Sequence, residues 1–169
     1  SFAQRHEFDA GALAPQIALP DSPANAVAVE AVDAVAIDQA YIGACTGAKL
    51  LDLQRAAAVL RGRQVAPGVR LLLAPASTAT TAAAAADGTL ATLTAAGAIL
   101  MPSGCGACAG YGAGVLAAGE VCIASTARNF KGRMGAADSR VYLASPFSVA
   151  AAAVAGRIVD PRELLEERA

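Results

Sequence analysis

Three cysteines stand at spacings that suit inorganic chemistry. Cys105 and Cys108 form a CxxC in SGCGACAG, with only Gly106 and Ala107 between them and small residues on both sides. Such a loop can curl until both thiolates face one centre, and its small neighbours leave space for a bulky inorganic group. Taken alone, the pair is compatible with zinc, a redox disulfide or an iron–sulfur role, and also with two buried cysteines in a glycine-rich turn. Cys45, in YIGACTGA, adds a third thiolate from far upstream, where an apolar run gives way to a turn-prone loop. A structural zinc site wants a fourth ligand, and the single histidine, His6, sits near the start of the chain, where it reads as solvated surface. Cys122, in EVCIAS, lies inside an apolar strand pattern and reads as a small core residue. Three thiolates suit a 4Fe-4S cluster in which three irons are held by protein and the fourth keeps an open position. An open iron is a Lewis acid that binds a substrate carboxylate and hydroxyl and eases departure of that hydroxyl as water, which is hydro-lyase chemistry. Electron transfer more naturally uses four cysteines and a shielded cluster.

A di- or tricarboxylate substrate needs fixed cations. The segment ARNFKGR offers Arg128 and Arg133 on either side of a turn, each able to clamp a carboxylate bidentately, with Lys131 exposed between them. A basic surface turn is the plainer reading of the same residues.

The elements around these residues decide whether they meet. Residues 1–37 carry Pro15, Pro20 and Pro23 and no sustained helical period, so they read as an extended lead-in that packs on the rest. From Asp38 onward the pattern is regular. AYIGAC is a short apolar run, Leu50 to Arg61 has helical spacing, Pro67-Gly68 marks a turn, and VRLLLAPAS is a buried-strand candidate. A helical stretch from about Thr80 to Ala96, interrupted near Asp87-Gly88, precedes the short strand AILM. VCIAS and VYLAS follow as strands, and Ser145-Pro146 leads into a helix over Ser148 to Ala155. Strand and helix alternating at this spacing predict parallel βαβ units and a three-layer α/β domain with a mainly parallel sheet. Ligands of such sheets gather beyond the carboxyl ends of the strands. Cys45, the CxxC and the segment from Ser125 to Arg133 all follow strands, so one edge is expected to carry all of them.

Composition sets the bounds. The chain has 169 residues, with 13 Lys+Arg against 14 Asp+Glu, enough for one domain and without the basic stripe that nucleic-acid binding requires. Hydrophobic residues reach 56%, but many are alanine and only 4% are aromatic, so the core must be close-packed from Ala, Val, Leu and Ile. The apolar runs are too short to span a membrane. The opening SFAQRHEFDA has no apolar stretch of the kind a secretory signal carries. Four cysteines are too few for a disulfide scaffold, and their spacing points to metal or redox chemistry in a reducing, cytoplasmic setting.

YIGACTGAKLLDLQRAA, VAPGVRLLLAPAS, the GCGAC loop and CIASTARNFKGRMG followed by VYLASP, together with PQIALPDSPANAV, resemble the aconitase superfamily in the same order along nearly the whole chain. The nearest branch is that of the large subunits of 3-isopropylmalate dehydratase and homoaconitase-like hydro-lyases. The resemblance implies an aconitase-like fold and splits the chain into the lead-in, residues 1–37, and a cluster-binding domain, residues 38–169. It implies that Cys45, Cys105 and Cys108 hold a 4Fe-4S cluster, that Arg128 and Arg133 hold substrate carboxylates, that Thr46 and Asn129 shape the site, and that Cys122 is not a ligand. The activity implied is dehydration and rehydration of a 2-hydroxy di- or tricarboxylic acid, as in leucine biosynthesis, with homoaconitase, aconitase and dimethylmalate dehydratase as alternatives. An isolated CxxC metal-binding or redox module stands as the alternative of another class.

The chain departs from the family pattern at Gly47 and Ala127, where asparagines are usual, and at Lys49, where many relatives have Arg. Loss of those asparagines removes hydrogen-bond donors close to cluster or substrate. The expected partners are an N-terminal region of a large subunit, a small subunit or swivel domain that carries the general base, and a small carboxylic acid. On that reading the chain is a C-terminal portion of a large subunit, unable to complete the reaction alone.

Overall fold

The computed structural model describes residues 2–32 and 34–166. The apolar runs read above become five strands of one seven-stranded sheet. These are β3 (Gln39–Gly43), β4 (Arg70–Ala74), β5 (Ile99–Leu100), β6 (Val121–Ala124) and β7 (Arg140–Leu143). The lead-in supplies β1 (Gln16–Ala18) and β2 (Ala26–Ala28), and the strand order is β2-β1-β7-β6-β3-β4-β5. The β3–β7 strands pair in parallel, whereas β1 runs antiparallel to both β2 and β7.

Strand periodicity sorts the side chains onto two faces. On one face Ala40, Ile42, Leu71, Leu73, Val121, Ile123 and Tyr142 meet the helices α1 (Leu50–Leu60), α2 (Thr78–Ala86), α3 (Thr89–Ala95), α4 (Pro146–Ala155) and α5 (Pro161–Glu166). On the other face Tyr41, Leu72, Ala74, Cys122, Ala124, Val141 and Leu143 are covered by Ala107, Leu116 and Met134 from loops. The three layers are therefore helices, sheet and irregular chain. The third layer is the one that carries the cysteine pair and both arginines.

Local chemistry explains the helix limits. Ser145 caps α4 by accepting from Ser148 N at 3.2 Å, Pro146 occupies the first turn, and Gly156 ends the helix in the left-handed region. The α4 alanines, Ala150 to Ala153, are fully buried, and they pack closely with Ala56 and Ala57 of α1. Alanine content thus serves close approach of helices to each other and to β3. The helical stretch expected from Thr80 starts at Thr78, capped by Ser77, and breaks at Asp87-Gly88. There Asp87 accepts from Thr89 N at 2.9 Å and so opens α3.

Two elements differ from the sequence reading. The lead-in contains a hairpin, closed by Leu19 N donating to Asn25 O at 2.9 Å and fixed to the sheet at Ala18 opposite Leu143. Strands of three residues between prolines are too short to show a period of two. The second, α5, is a six-residue helix beyond the last apolar run.

Candidate functional site

Cys45 lies two residues beyond β3, exposed in the turn that leads to α1, instead of at the end of the strand itself. Cys105 and Cys108 follow β5 and bracket the start of a 3-10 turn, Gly106–Ala109, in which Cys108 N donates to Cys105 O at 3.0 Å. Arg128 and Arg133 follow β6. All three segments leave the carboxyl ends of parallel strands, the edge at which such sheets bind ligands. All four cysteines are free thiols.

The CxxC turn is held from two sides. Arg133 Nε donates to Cys108 O at 2.8 Å, and Gly110, at φ +80°, lets the chain pass so close to the Arg133 carbonyl that a side chain there would crowd it. From below, Tyr41 of β3 is buried and its hydroxyl reaches Cys105 O at 3.5 Å. Burial, with the Cys108 sulfur beside it, pushes the Tyr41 phenol up to about 12, so it stays a neutral donor. Lower down, Gln39 Nε2 donates to Gly114 O at 2.9 Å and fixes the far end of the glycine-rich loop. Leu116 N to Met134 O at 2.9 Å and Ala136 N to Leu116 O at 3.0 Å lace that loop to the arginine-bearing segment. Tyr41, Ala74, Met101, Cys105 and Tyr111 line a cavity of about 340 Å³ beside the turn.

Burial pushes the Cys108 thiol up, and the Arg133 guanidinium and the Thr126 hydroxyl oppose it. Thr126 Oγ1 is buried and has no partner in hydrogen-bonding geometry. Cys122 is fully buried in β6, where desolvation raises its thiol to about 12, and it behaves as a core residue.

The structure brings Cys105 and Cys108 together and sets Arg133 against them. Among the described residues, no three His, Cys, Asp or Glu side chains are gathered closely enough to hold a metal ion. Arg128 is exposed and makes no hydrogen bond or ion pair among the described residues, which leaves its guanidinium available to an anion. Lys131 is exposed as well, and Thr46 faces solvent beside Cys45. Asn129 is buried, its amide donating to Leu19 O at 2.7 Å and Val141 O at 3.1 Å, so it ties the hairpin to β7. His6, near the start, is exposed and paired with Gln4.

Tyr41, Gln39 and Thr126 were not signalled by sequence. Tyr41 and Gln39 sit within a strand pattern that reads as core, and only the loop layer over β3 gives them a polar task. A threonine beside a serine after a strand carries no signal of its own.

Parallel strands, carboxyl-edge loops and a thiol pair backed by a guanidinium define an α/β ligand-binding domain. The profile of the aconitase family (aconitate hydratase) matches residues 1–156. The chain is 51% identical over 166 residues to the homoaconitase large subunit of Thermus thermophilus, covering 98% of the chain and 40% of that protein. It is 48% identical over 168 residues to the 3-isopropylmalate dehydratase large subunit of Mycolicibacterium smegmatis, covering 99% and 40%. A probable methanogen homoaconitase large subunit of Methanosarcina mazei is 45% identical over 164 residues, covering 97% and 41%. The chain belongs to the aconitase family. It spans about two fifths of the length of these relatives.

The chemistry of the donors, though not their gathering into one group among the described residues, suits the iron–sulfur cluster that the family resemblance implies. The set offers free thiols on ligand-edge loops, small residues around the pair, and at Cys108 a cation and an unpaired hydroxyl that favour thiolate.

Proposed function

We propose that the chain is the cluster-carrying part of a hydro-lyase that dehydrates and rehydrates a 2-hydroxy di- or tricarboxylic acid. The observation that carries this reading is the Cys105–Cys108 turn, fixed by Arg133 and Tyr41 at the carboxyl edge of the parallel sheet. Cys45, Cys105 and Cys108 would hold a 4Fe-4S cluster. When bound, that group supplies Lewis acidity toward the substrate hydroxyl and carboxylate.

The chain's own residues do the rest of the positioning. Arg128, with its guanidinium uncommitted, binds a substrate carboxylate. Arg133 spends Nε on Cys108 O, which orients its remaining N–H groups as donors to a second carboxylate. The phenol of Tyr41, kept neutral, holds the carbonyl side of the turn and adds no charge next to the thiolates. The base that removes the α-proton comes from outside this chain, from an N-terminal region or from a small subunit or swivel domain. Names of the relatives support a 3-isopropylmalate or homoaconitase type of substrate.

Because no three ligand-type side chains are gathered among the described residues, one second reading has Cys105 and Cys108 alone bind zinc or form a reversible disulfide. Turnover decides between them. With the complementary regions present, the account predicts formation of an unsaturated diacid from 2-isopropylmalate or 3-isopropylmalate, or of an unsaturated triacid from homocitrate, read by the ultraviolet absorbance of its conjugated double bond and abolished by Cys105→Ser. Absence of turnover on every 2-hydroxy acid, with zinc retained in Cys45→Ser, would establish the second reading.

A further inference from the structure

Cys45 is the thiol that the fold leaves least supported, yet the turn around it is gripped at both ends by one side chain. Ser125, the first residue after β6, places its hydroxyl between the two ends of the segment 43–47. Gly43 N donates to Ser125 Oγ at 3.2 Å, and Ser125 Oγ donates to Gly47 O at 2.7 Å. Backbone pairing continues the grip, with Ser125 N donating to Tyr41 O at 3.0 Å. The second observation is independent of the hydroxyl. Gly47 is buried, and a Cβ built there would overlap the Ser125 carbonyl oxygen. The turn has closed onto β6 to a distance that only glycine permits.

We infer that Ser125 is a positioning residue for Cys45, a clasp that fixes the turn carrying this thiol to the β6 loop, and that Gly47 is required because the clasp leaves no room for a side chain. The asparagine usual at this place in the family pattern would force the turn open. Ser125 also begins the segment that contains Thr126, Arg128 and Arg133, so the clasp sets the Cys45 turn in register with the arginine loop and with the hydroxyl beside Cys108. The serine's one proton faces backbone carbonyls of the turn itself, Gly47 O at 2.7 Å and, more distant, Gly43 O at 3.5 Å.

The inference rests on the cluster reading only in calling Cys45 a ligand, and the test separates the two. Amide hydrogen exchange on the metal-free protein reads the clasp directly. In Ser125→Ala, exchange across residues 43–49 is expected to speed up about fivefold for each bond lost, with residues 105–110 and the interior of β4 unchanged. Ser125→Thr, which keeps the hydroxyl, restores protection. Gly47→Ala, with every Ser125 group intact, gives the same local loosening. In protein loaded with iron and sulfide, Ser125→Ala and Gly47→Ala lose cluster absorbance to a chelator several times faster than the parent. Unchanged exchange at 43–49 in both variants, or equal acceleration at 43–49 and 105–110, would overturn the clasp. A parent protein that takes up no cluster would overturn the cluster reading and leave the exchange result to decide the clasp.

Discussion

At the residue scale, the four cysteines have been sorted by their surroundings more than by their spacing. Cys122 has the same chemistry as its neighbours but sits in a fully desolvated site next to Gln39, and its thiol is held neutral. Its value is raised in the fold from 9.0 to about 12. The stabilisation from keeping it neutral is therefore fully present below pH 9 and is lost as pH rises through about 12. Urea denaturation should show the parent losing stability across this alkaline window faster than Cys122→Ala, although the variant is weaker at neutral pH because it leaves a small cavity. Parallel alkaline slopes would place the titration elsewhere. Cys105 and Cys108, by contrast, lie where a guanidinium, a phenol and an unpaired hydroxyl converge. Sequence showed the thiols because cysteine is rare in the chain and two of them form a CxxC, and the arginines because they flank one short turn. It could not show Tyr41, Thr126 or Ser125, since a strand tyrosine and a Ser-Thr pair become functional only once loops fold over β3 and β6.

At the scale of elements, legibility followed length and burial. β3, β4, β6, β7, α1 and the break between α2 and α3 were readable, since continuous apolar runs, Pro67-Gly68 and Asp87-Gly88 mark buried strands and stops. The hairpin of β1 and β2 was not, because its pairing depends on a residue about a hundred positions away. Asn129 donates to Leu19 O in the hairpin and to Val141 O in β7. Removing that amide strands one buried and one part-buried carbonyl, so Asn129→Ala is expected to destabilise the fold by about 2 kcal/mol. Hydrogen exchange should show β1 and β2 opening first. A variant with unaltered stability and a protected hairpin would show that the sheet holds β1 without this tie. Asn129 was expected to shape the site. What the structure gives it is an anchoring contact, its amide tying the start of the 128–133 segment to the hairpin and to β7.

At the scale of the molecule, one asymmetry organises everything else. Helices fill one face of the sheet with alanine-rich packing, and the opposite face is covered by glycine-rich and basic loops that bear the candidate chemistry. No helix among the described residues is long and apolar enough to cross a membrane. The chain covers about two fifths of its relatives' length. The central claim is that three of the four cysteines act together on one cluster. It is tested most directly by iron and acid-labile sulfide analysis after anaerobic reconstitution of the parent and of the Cys45→Ser, Cys105→Ser, Cys108→Ser and Cys122→Ser variants. The account predicts matched iron and sulfide in the parent and in Cys122→Ser, with both lost in the other three. Metal retained in Cys45→Ser, or no sulfide taken up by the parent, would contradict it.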